Sequence, residues 1–455
     1  MKTIEQKSEN KNYAARPITI TELKPHPNAD RLKIAVVNGE DVIVDLNTQT
    51  GDKVVLFPIE CKINPLFLTT NSLYRKGQGE NKDPEKTGMF DKHGRVRAIR
   101  LRGVVSKGFI VPLTHFTFLQ PDNADLLSEI AQVECFDTIN GVRICEKYVI
   151  KHREQKGQKY HRRKNLSEKI VEKQWRFHYE TEWLDNNLER ILPPYSLHIS
   201  YKLHGTSICA GCVLVKKFSW RPAIWFANKF LGGNESYHDV WSSRRVIKTP
   251  KYKKVDRVFY EDDIWTRVYT DVLQGKLTNG LTIYGEIVGY LPNGGGIQGE
   301  YDYGFTPPEG KEYFVNKNYG LFIYRVTNTN KNGVVTEMNP FEVAVWCKNN
   351  GLDAVPFLAS GKATDFYAFN EPAEDSREEE KAANLASWRQ HLYEAIKNDP
   401  RFYLEKRCFM CKNNVPAEGI VVRIIETGEA FKLKSKAFLL KETEQLDKGE
   451  ENIEG

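Results

Sequence analysis

The sequence predicts an α+β protein in two parts: a small N-terminal β-barrel, then a larger domain of antiparallel sheets with flanking helices. Three observations predict it. Short alternating apolar runs, separated by turn residues, fill Pro17 to Leu113. A basic tract without hydrophobic periodicity then interrupts the pattern. From Trp175 to about Leu440 apolar density rises again, with strand-like runs between a few helical ones. The boundaries follow these shifts: a barrel domain over 1–145, a basic linker over 146–174 and the larger domain over 175–455.

In the first part, Ile34 to Val37, Val42 to Val44 after the Asn38-Gly39 turn, Val54 to Phe57, Val96 to Leu101 and Gly108 to Val111 read as short strands. About five strands at this spacing suit a barrel of the OB type. Tyr74 to Arg95 is polar, glycine-bearing and charged, and reads as a mobile loop. Arg95, Arg97, Arg100, Arg102 and Lys107 crowd one segment. They suit a phosphate-tracking groove, or equally a charged edge strand. The tract Lys147, Lys151, Arg153, Lys156, Lys159, Arg162, Arg163 and Lys164 is opposed only by Glu154. It reads as a linker that also touches nucleic acid, or as a plain solvated spacer.

In the second part, Pro340 to Asn350 reads as a helix and Glu371 to Lys381 as an exposed acidic insert. Leu385, Trp388, Leu392 and Ile396 share one face of an amphipathic helix over Ala382 to Ile396. Lys441 to Gly455 is charged and reads as a frayed end.

Composition narrows the class. The chain has 455 residues, 40% hydrophobic and 28% charged, with a net charge of +6. That balance is globular, and the charge permits a polyanionic partner. No run approaches the ~18 apolar residues of a membrane span. The N-terminus lacks an apolar signal core. A cytoplasmic protein without a membrane partner is the expectation, and a monomer is expected. The eight cysteines are scattered and read as reduced thiols. Cys209 with Cys212, and Cys408 with Cys411, form two C-x-x-C pairs; they read as buried thiols more readily than as a zinc site.

The chemistry concentrates in five segments of the larger domain. Lys202 ends a strand just before the His204-Gly205 turn. Leu197, Ile199 and Tyr201 alternate there with His198, Ser200 and Lys202. Backbone N–H groups of such a turn can meet a phosphate. Glu286 sits in the apolar run Leu281 to Val288, and Glu418 opens the β-branched run that follows Gly419. A carboxylate in such a place is costly unless a cation or metal pairs with it. Lys432 and Lys434 share a strand face, where two like charges repel unless an anion sits between them. Tyr319 to Val326 is an aromatic strand that could stack on a base or simply pack. One amine, two carboxylates, two further lysines and an aromatic ring fit nucleotidyl transfer, in which a neutral lysine attacks a nucleotide phosphorus.

These segments resemble, in order, the motifs of the covalent lysyl-AMP nucleotidyltransferases. KLHGTS at 202–207 resembles motif I, SSR at 242–244 motif Ia, YGEIVG at 284–289 motif III and LFIYRV at 321–326 motif IIIa. AEGIVVR at 417–423 resembles motif IV and FKLKS at 431–435 motif V. GGGIQ at 294–298 and YDYG at 301–304 resemble a string of the RNA-ligase-2-like branch, the ATP-dependent RNA ligases. The resemblance implies that the larger domain is an adenylyltransferase domain. The resemblance implies that Lys202 carries AMP and that Arg244 contacts the nucleotide or the RNA end. It implies further that Tyr324 stacks on adenine, that Lys432 and Lys434 contact phosphates, and that Glu286 and Glu418 organise Mg²⁺ or Mn²⁺. His204 and Gly205 belong to the same nucleotide site, the role of His204 being open. ATP is the implied substrate. The implied partner is RNA with 3′-OH and 5′-phosphate ends, and RNA repair in a phage-infected or bacterial cytoplasm is the implied setting.

Ser207 departs from an Asn common in that branch, Tyr324 from a Phe, and Arg325 from an Asp. Only a short tail follows Lys434, which leads us to expect no barrel after motif V, unlike DNA ligases and capping enzymes. RAIRLRGVVSKGFIVPL at 97–113 resembles the N-terminal OB domain of certain RNA ligases, and HPNADRL at 26–32 resembles tRNA-binding OB modules. Arg97, Arg100, Arg102 and Lys107 are the implied RNA contacts. Other readings are a DNA ligase, a capping-type guanylyltransferase and a catalytically silent RNA-binding protein.

Overall fold

The computed structural model describes residues 4–8, 11–119, 125–149, 169–248, 263–310, 312–402, 405 and 407–448. Most of the basic tract after Lys147 lies outside the described residues.

In the N-terminal part, Leu32–Val37 and Glu40–Asp45 form a hairpin. Asn38 and Gly39 take φ of 50° and 79°, which matches strand twist in a two-residue turn. Glu22–Pro25 extends this sheet. Lys53–Phe57 pairs with Arg16–Thr19 and Phe109–Pro112, and Ala98–Leu101 pairs with Val104–Lys107. Ile20, Ala35, Val42 and Val54 bury their side chains between these short strands. A second core, around Phe57, Phe67, Phe116 and Phe136, ties 113–145 to the same unit. The 74–95 segment is irregular as expected, yet it is pinned. Asn81 Nδ2 donates to the carbonyls of Tyr74 (2.9 Å) and Lys86 (2.8 Å), and its Oδ1 accepts from Tyr74 N.

The larger part carries two sheets. The first has five strands in the order Glu182–Trp183, Ala430–Lys434, Gly419–Ile424, Ser196–Lys202 and Phe357–Lys362. The second has Ile247–Lys248, Glu235–Ser242, Thr206–Lys216, Leu281–Gly289, Tyr319–Thr329 and Val335–Glu337, with Asp353–Ala354 beside Tyr319–Thr329. Pairings are antiparallel except at Glu182–Trp183 and Asp353–Ala354. The Glu378–Asn398 helix lays Trp388, Leu392 and Ile396 on the first sheet. It starts earlier than its apolar face suggested, because Glu378, Glu379 and Glu380 suit the positive N-terminal end of a helix.

Polar side chains are buried between layers at two places, and the second corrects an expectation. His198 and Ser200, which alternate with Leu197, Ile199 and Tyr201, are buried as well. The tail was read as frayed from Lys441, yet Lys436–Asp447 is a helix. Phe438, Leu439, Glu442, Thr443 and Leu446 form its buried stripe.

Candidate active site

The site lies where the chain crosses from one sheet to the other. Lys202 is the last residue of the Ser196–Lys202 strand, and Thr206 begins the next strand in the second sheet. In the first sheet Lys202 pairs with Gly419, and Gly419 with Lys434. Register therefore sets Lys202, Gly419 and Lys434 in one row, with Glu418 the residue just before it. Lys202 Nζ donates to Glu418 Oε1, and Lys434 Nζ lies 3.9 Å from the same oxygen. Gly419 makes this row possible. Its φ is +153°, and a Cβ would lie 2.0 Å from the Leu433 carbonyl oxygen.

In the second sheet Ser207 pairs with Glu286. Glu286 accepts from the Gly205 N–H (3.1 Å) and from Ser207 Oγ (3.2 Å). Gly205 packs so tightly on that strand that a Cβ would meet the Ile287 carbonyl oxygen at 2.4 Å. The turn is clamped on its other side. Tyr303 Oη accepts from His204 N (2.9 Å) and donates to His204 O (3.0 Å), while Gln298 Nε2 donates to Gly205 O. The GGGIQ and YDYG strings thus position the lysine turn. The His204 ring stands edge-on to Tyr301 and Phe438. Its Nδ1 lies 3.6 Å from Glu418 Oε2.

Lys432 and Lys434 are both buried. Each has carboxylates of its own nearby. Lys434 Nζ lies 3.0 Å from Glu442 on the last helix. Lys432 Nζ lies 3.6 Å from Glu180. Glu180 also meets Arg244 at 3.9 Å and Lys147 at 3.2 Å, and accepts from the Tyr13 hydroxyl. Burial pushes its carboxyl up, but Lys432, Lys147 and Arg244 outweigh that and hold it at about 2. Glu180 and Glu442 escaped sequence reasoning, whereas Gln298 and Tyr303 lay in the GGGIQ and YDYG strings without an assigned role. Of those two, only Glu442 left a signal, its place in the apolar stripe of 438–446.

Tyr324 lies on the Tyr319–Thr329 strand, its ring 5.1 Å from that of His178. Burial, with Arg244 and other nearby cations, depresses the His178 imidazole to about 3, so it is neutral. The arginine at 325, a departure from the motif, pairs with Glu337 at 2.7 Å and covers Tyr284 and Tyr179.

Of the four barrel cations, Lys107 is misplaced as an RNA contact. It is buried, 2.9 Å from Asp185 and 3.8 Å from Glu40, at the contact between the two parts. Arg97 reaches Asp447 at 2.9 Å on the last helix. Arg100 and Arg102 remain exposed. Arg102 donates to Asn28 O of the HPNADRL segment (3.1 Å). The eight cysteines are free and buried. Cys209 and Cys212 lie on the Thr206–Lys216 strand, whereas Cys408 and Cys411 belong to a separate core with Tyr201 and Tyr301. No described helix is long and apolar enough to cross a membrane.

An amine at a strand end, with a carboxylate and lysines on neighbouring strands, defines a site for group transfer from a phosphate-bearing substrate. The chain belongs to the RNA ligase family, which it matches over residues 196–436. Residues 17–113 match an OB-fold domain. The motif reading of an N-terminal OB unit before an RNA ligase domain is borne out. No curated protein matches the sequence. Among solved structures, the Naegleria gruberi RNA ligase with PPi superposes with a TM-score of 0.54 at 15% identity, covering 95% of this chain and 99% of that one. A variant of that ligase with ATP and Mn gives 0.53 at 16%, covering 94% and 98%. Another with AMP and Mn gives 0.54 at 15%, covering 94% and 98%. At such identity these structures show a shared fold across both parts.

Proposed function

We propose that this RNA ligase uses ATP and joins 3′-OH to 5′-phosphate RNA ends through an AMP carried on Lys202. The observation that carries this is the row Lys202–Glu418–Lys434, which sets a strand-end amine against a carboxylate acceptor beneath a second cation. In the first step the Lys202 amine, having given up a proton, attacks the α-phosphorus of ATP. The N–P bond forms, the bond to the β-phosphate oxygen breaks, and pyrophosphate leaves. Glu418 Oε1 is placed to take the proton. Lys434, Lys432 and Arg244 oppose the charge on the phosphates, worth most in a site shielded from water. Tyr324, backed by neutral His178, offers the ring for adenine. The AMP then passes to an RNA 5′-phosphate, and a 3′-hydroxyl displaces it.

The residues fit a divalent cation. Glu418 Oε2 is buried and accepts no hydrogen bond among the described residues. No described group of three or more His, Cys, Asp or Glu side chains forms a full cage. That donor set suits Mg²⁺ or Mn²⁺ held by one or two carboxylates and otherwise by water and phosphate, with Glu418 and Glu286 as holders. Such an ion supplies charge neutralisation on the phosphates. Naegleria ligase structures with ATP and Mn support both choices. Arg100 and Arg102 are the barrel cations left to face an RNA backbone.

Incubation with α-labelled ATP and metal should leave covalent label on the protein that survives denaturation and alkali but is released by hot acid, as a phosphoramidate is, and Lys202→Ala should remove it. Label that survives the substitution disproves the assignment.

A further inference from the structure

Between the strands Thr206–Lys216 and Glu235–Ser242 the chain forms a helix, Arg221–Phe230, whose only buried residue is Ala227. Trp220 is 71% exposed, Trp225 61%, Phe226 49% and Phe230 59%. An apolar patch of this kind on a protein surface marks a binding site. It is a built surface. Lys217 Nζ donates to Leu231 O (3.3 Å) and Gly233 O (3.1 Å), and the Asn234 amide brackets Phe218 through its N–H and carbonyl. Lys229 Nζ stands 4.9 Å from the Trp225 ring centre and 5.4 Å from that of Phe230.

Charge says what covers it. From Lys217 to Asn234 there are three cations, Lys217, Arg221 and Lys229, and no acid, while Lys216 faces Glu235 across the strand pair. Rings interleaved with unopposed cations stack bases and meet phosphates. We infer that the Arg221–Phe230 helix is a second RNA-binding surface, which stacks unpaired bases of the substrate strand at a distance from the joined ends. This rests on the ligase reading above. The distance follows from the strand beneath. Thr206–Lys216 spans eleven residues, roughly 33 Å at about 3.3 Å per residue. It begins beside Lys202 and ends at the helix. At roughly 3.4 Å per stacked nucleotide, about ten nucleotides separate the two places. Substrates with shorter arms do not reach.

The test uses the full-length protein and its Trp225→Ala/Phe226→Ala variant, with 5′-phosphorylated RNAs carrying single-stranded arms of 6 or 24 nucleotides. The wild type should bind the long RNA at least tenfold more tightly than the short one, and the variant should lose that advantage. Each lost stacked base accounts for roughly tenfold or more. Self-adenylation by labelled ATP should be equal in both proteins. Equal affinity of wild type and variant for the long RNA overturns the proposal. So does a variant whose defect lies in binding anionic phosphatidylserine vesicles or in self-association on sedimentation, which would assign the patch to a membrane or a protein partner. Absence of adenylation in both proteins would count against the ligase reading alone, since RNA affinity is measured without ATP.

Discussion

Glu180→Gln tests the cluster that joins the N-terminal part to the larger one. Glu180 takes Tyr13 and Lys147 from one side and Lys432 and Arg244 from the other. The folded carboxyl titrates at about 2 against an ordinary 4.5. A gap of roughly 2.5 units corresponds to about 3 kcal/mol, at 1.36 kcal/mol per unit. The folded value is depressed, so this stability is fully present above pH 4.5 and is lost as pH falls towards 2. By pH 3.5 a substantial part of it is gone. Glutamine keeps the shape and the Tyr13 hydrogen bond but removes the charge. Urea unfolding at pH 7 should therefore show the variant less stable by about 3 kcal/mol, and the difference should shrink between pH 4.5 and 3.5. In the same variant three cations lose their shared carboxylate, so inorganic pyrophosphate should bind more tightly. Equal stability at pH 7, or a gap that ignores pH in that window, would refute the electrostatic account.

Further outcomes follow from the packing. Gly419→Ala forces a Cβ against the Leu433 carbonyl at a φ that disfavours any side chain; it should cost about 3 kcal/mol or more and appear as a lowered Tm. Lys107→Met leaves Asp185 without its buried cation and Glu40 with Lys397 as its remaining close lysine. It should destabilise the fold by roughly 3–5 kcal/mol while sparing the RNA affinity of whatever protein remains folded, the reverse of what a groove cation would do. His178, held neutral by burial, has a folded pKa near 3 against 6.5. Its unfolded form binds the extra proton, so stability falls as pH drops from 6.5 towards 3, and His178→Phe should flatten that slope in urea titrations.

Much of the site was legible as spacing. Lys202, Glu286, Glu418, Lys432 and Lys434 stand on strands whose alternation marks their faces, and strand register then brings Lys202, Glu418 and Lys434 together. The barrel, too, was readable from short runs and the Asn38-Gly39 turn. What spacing cannot show is a partner far away in the chain. Glu180 precedes Lys432 by a long stretch and meets it only because Glu182–Trp183 lies parallel to Ala430–Lys434. The same applies to Tyr303 and Gln298, whose bonds to the His204-Gly205 backbone depend on how one loop lies over another turn.

The chain by itself determined the order of the parts, the family and the charged groups of the reaction, because those are carried by local residue type and periodicity. Tertiary structure decided which charges are spent inside the fold. Lys107 and Arg97 look like RNA contacts in the sequence, yet they secure the two parts to each other. Lys107 is buried and Arg97 is half-buried in its ion pairs, and burial is a property of the assembled layers, which no single segment contains.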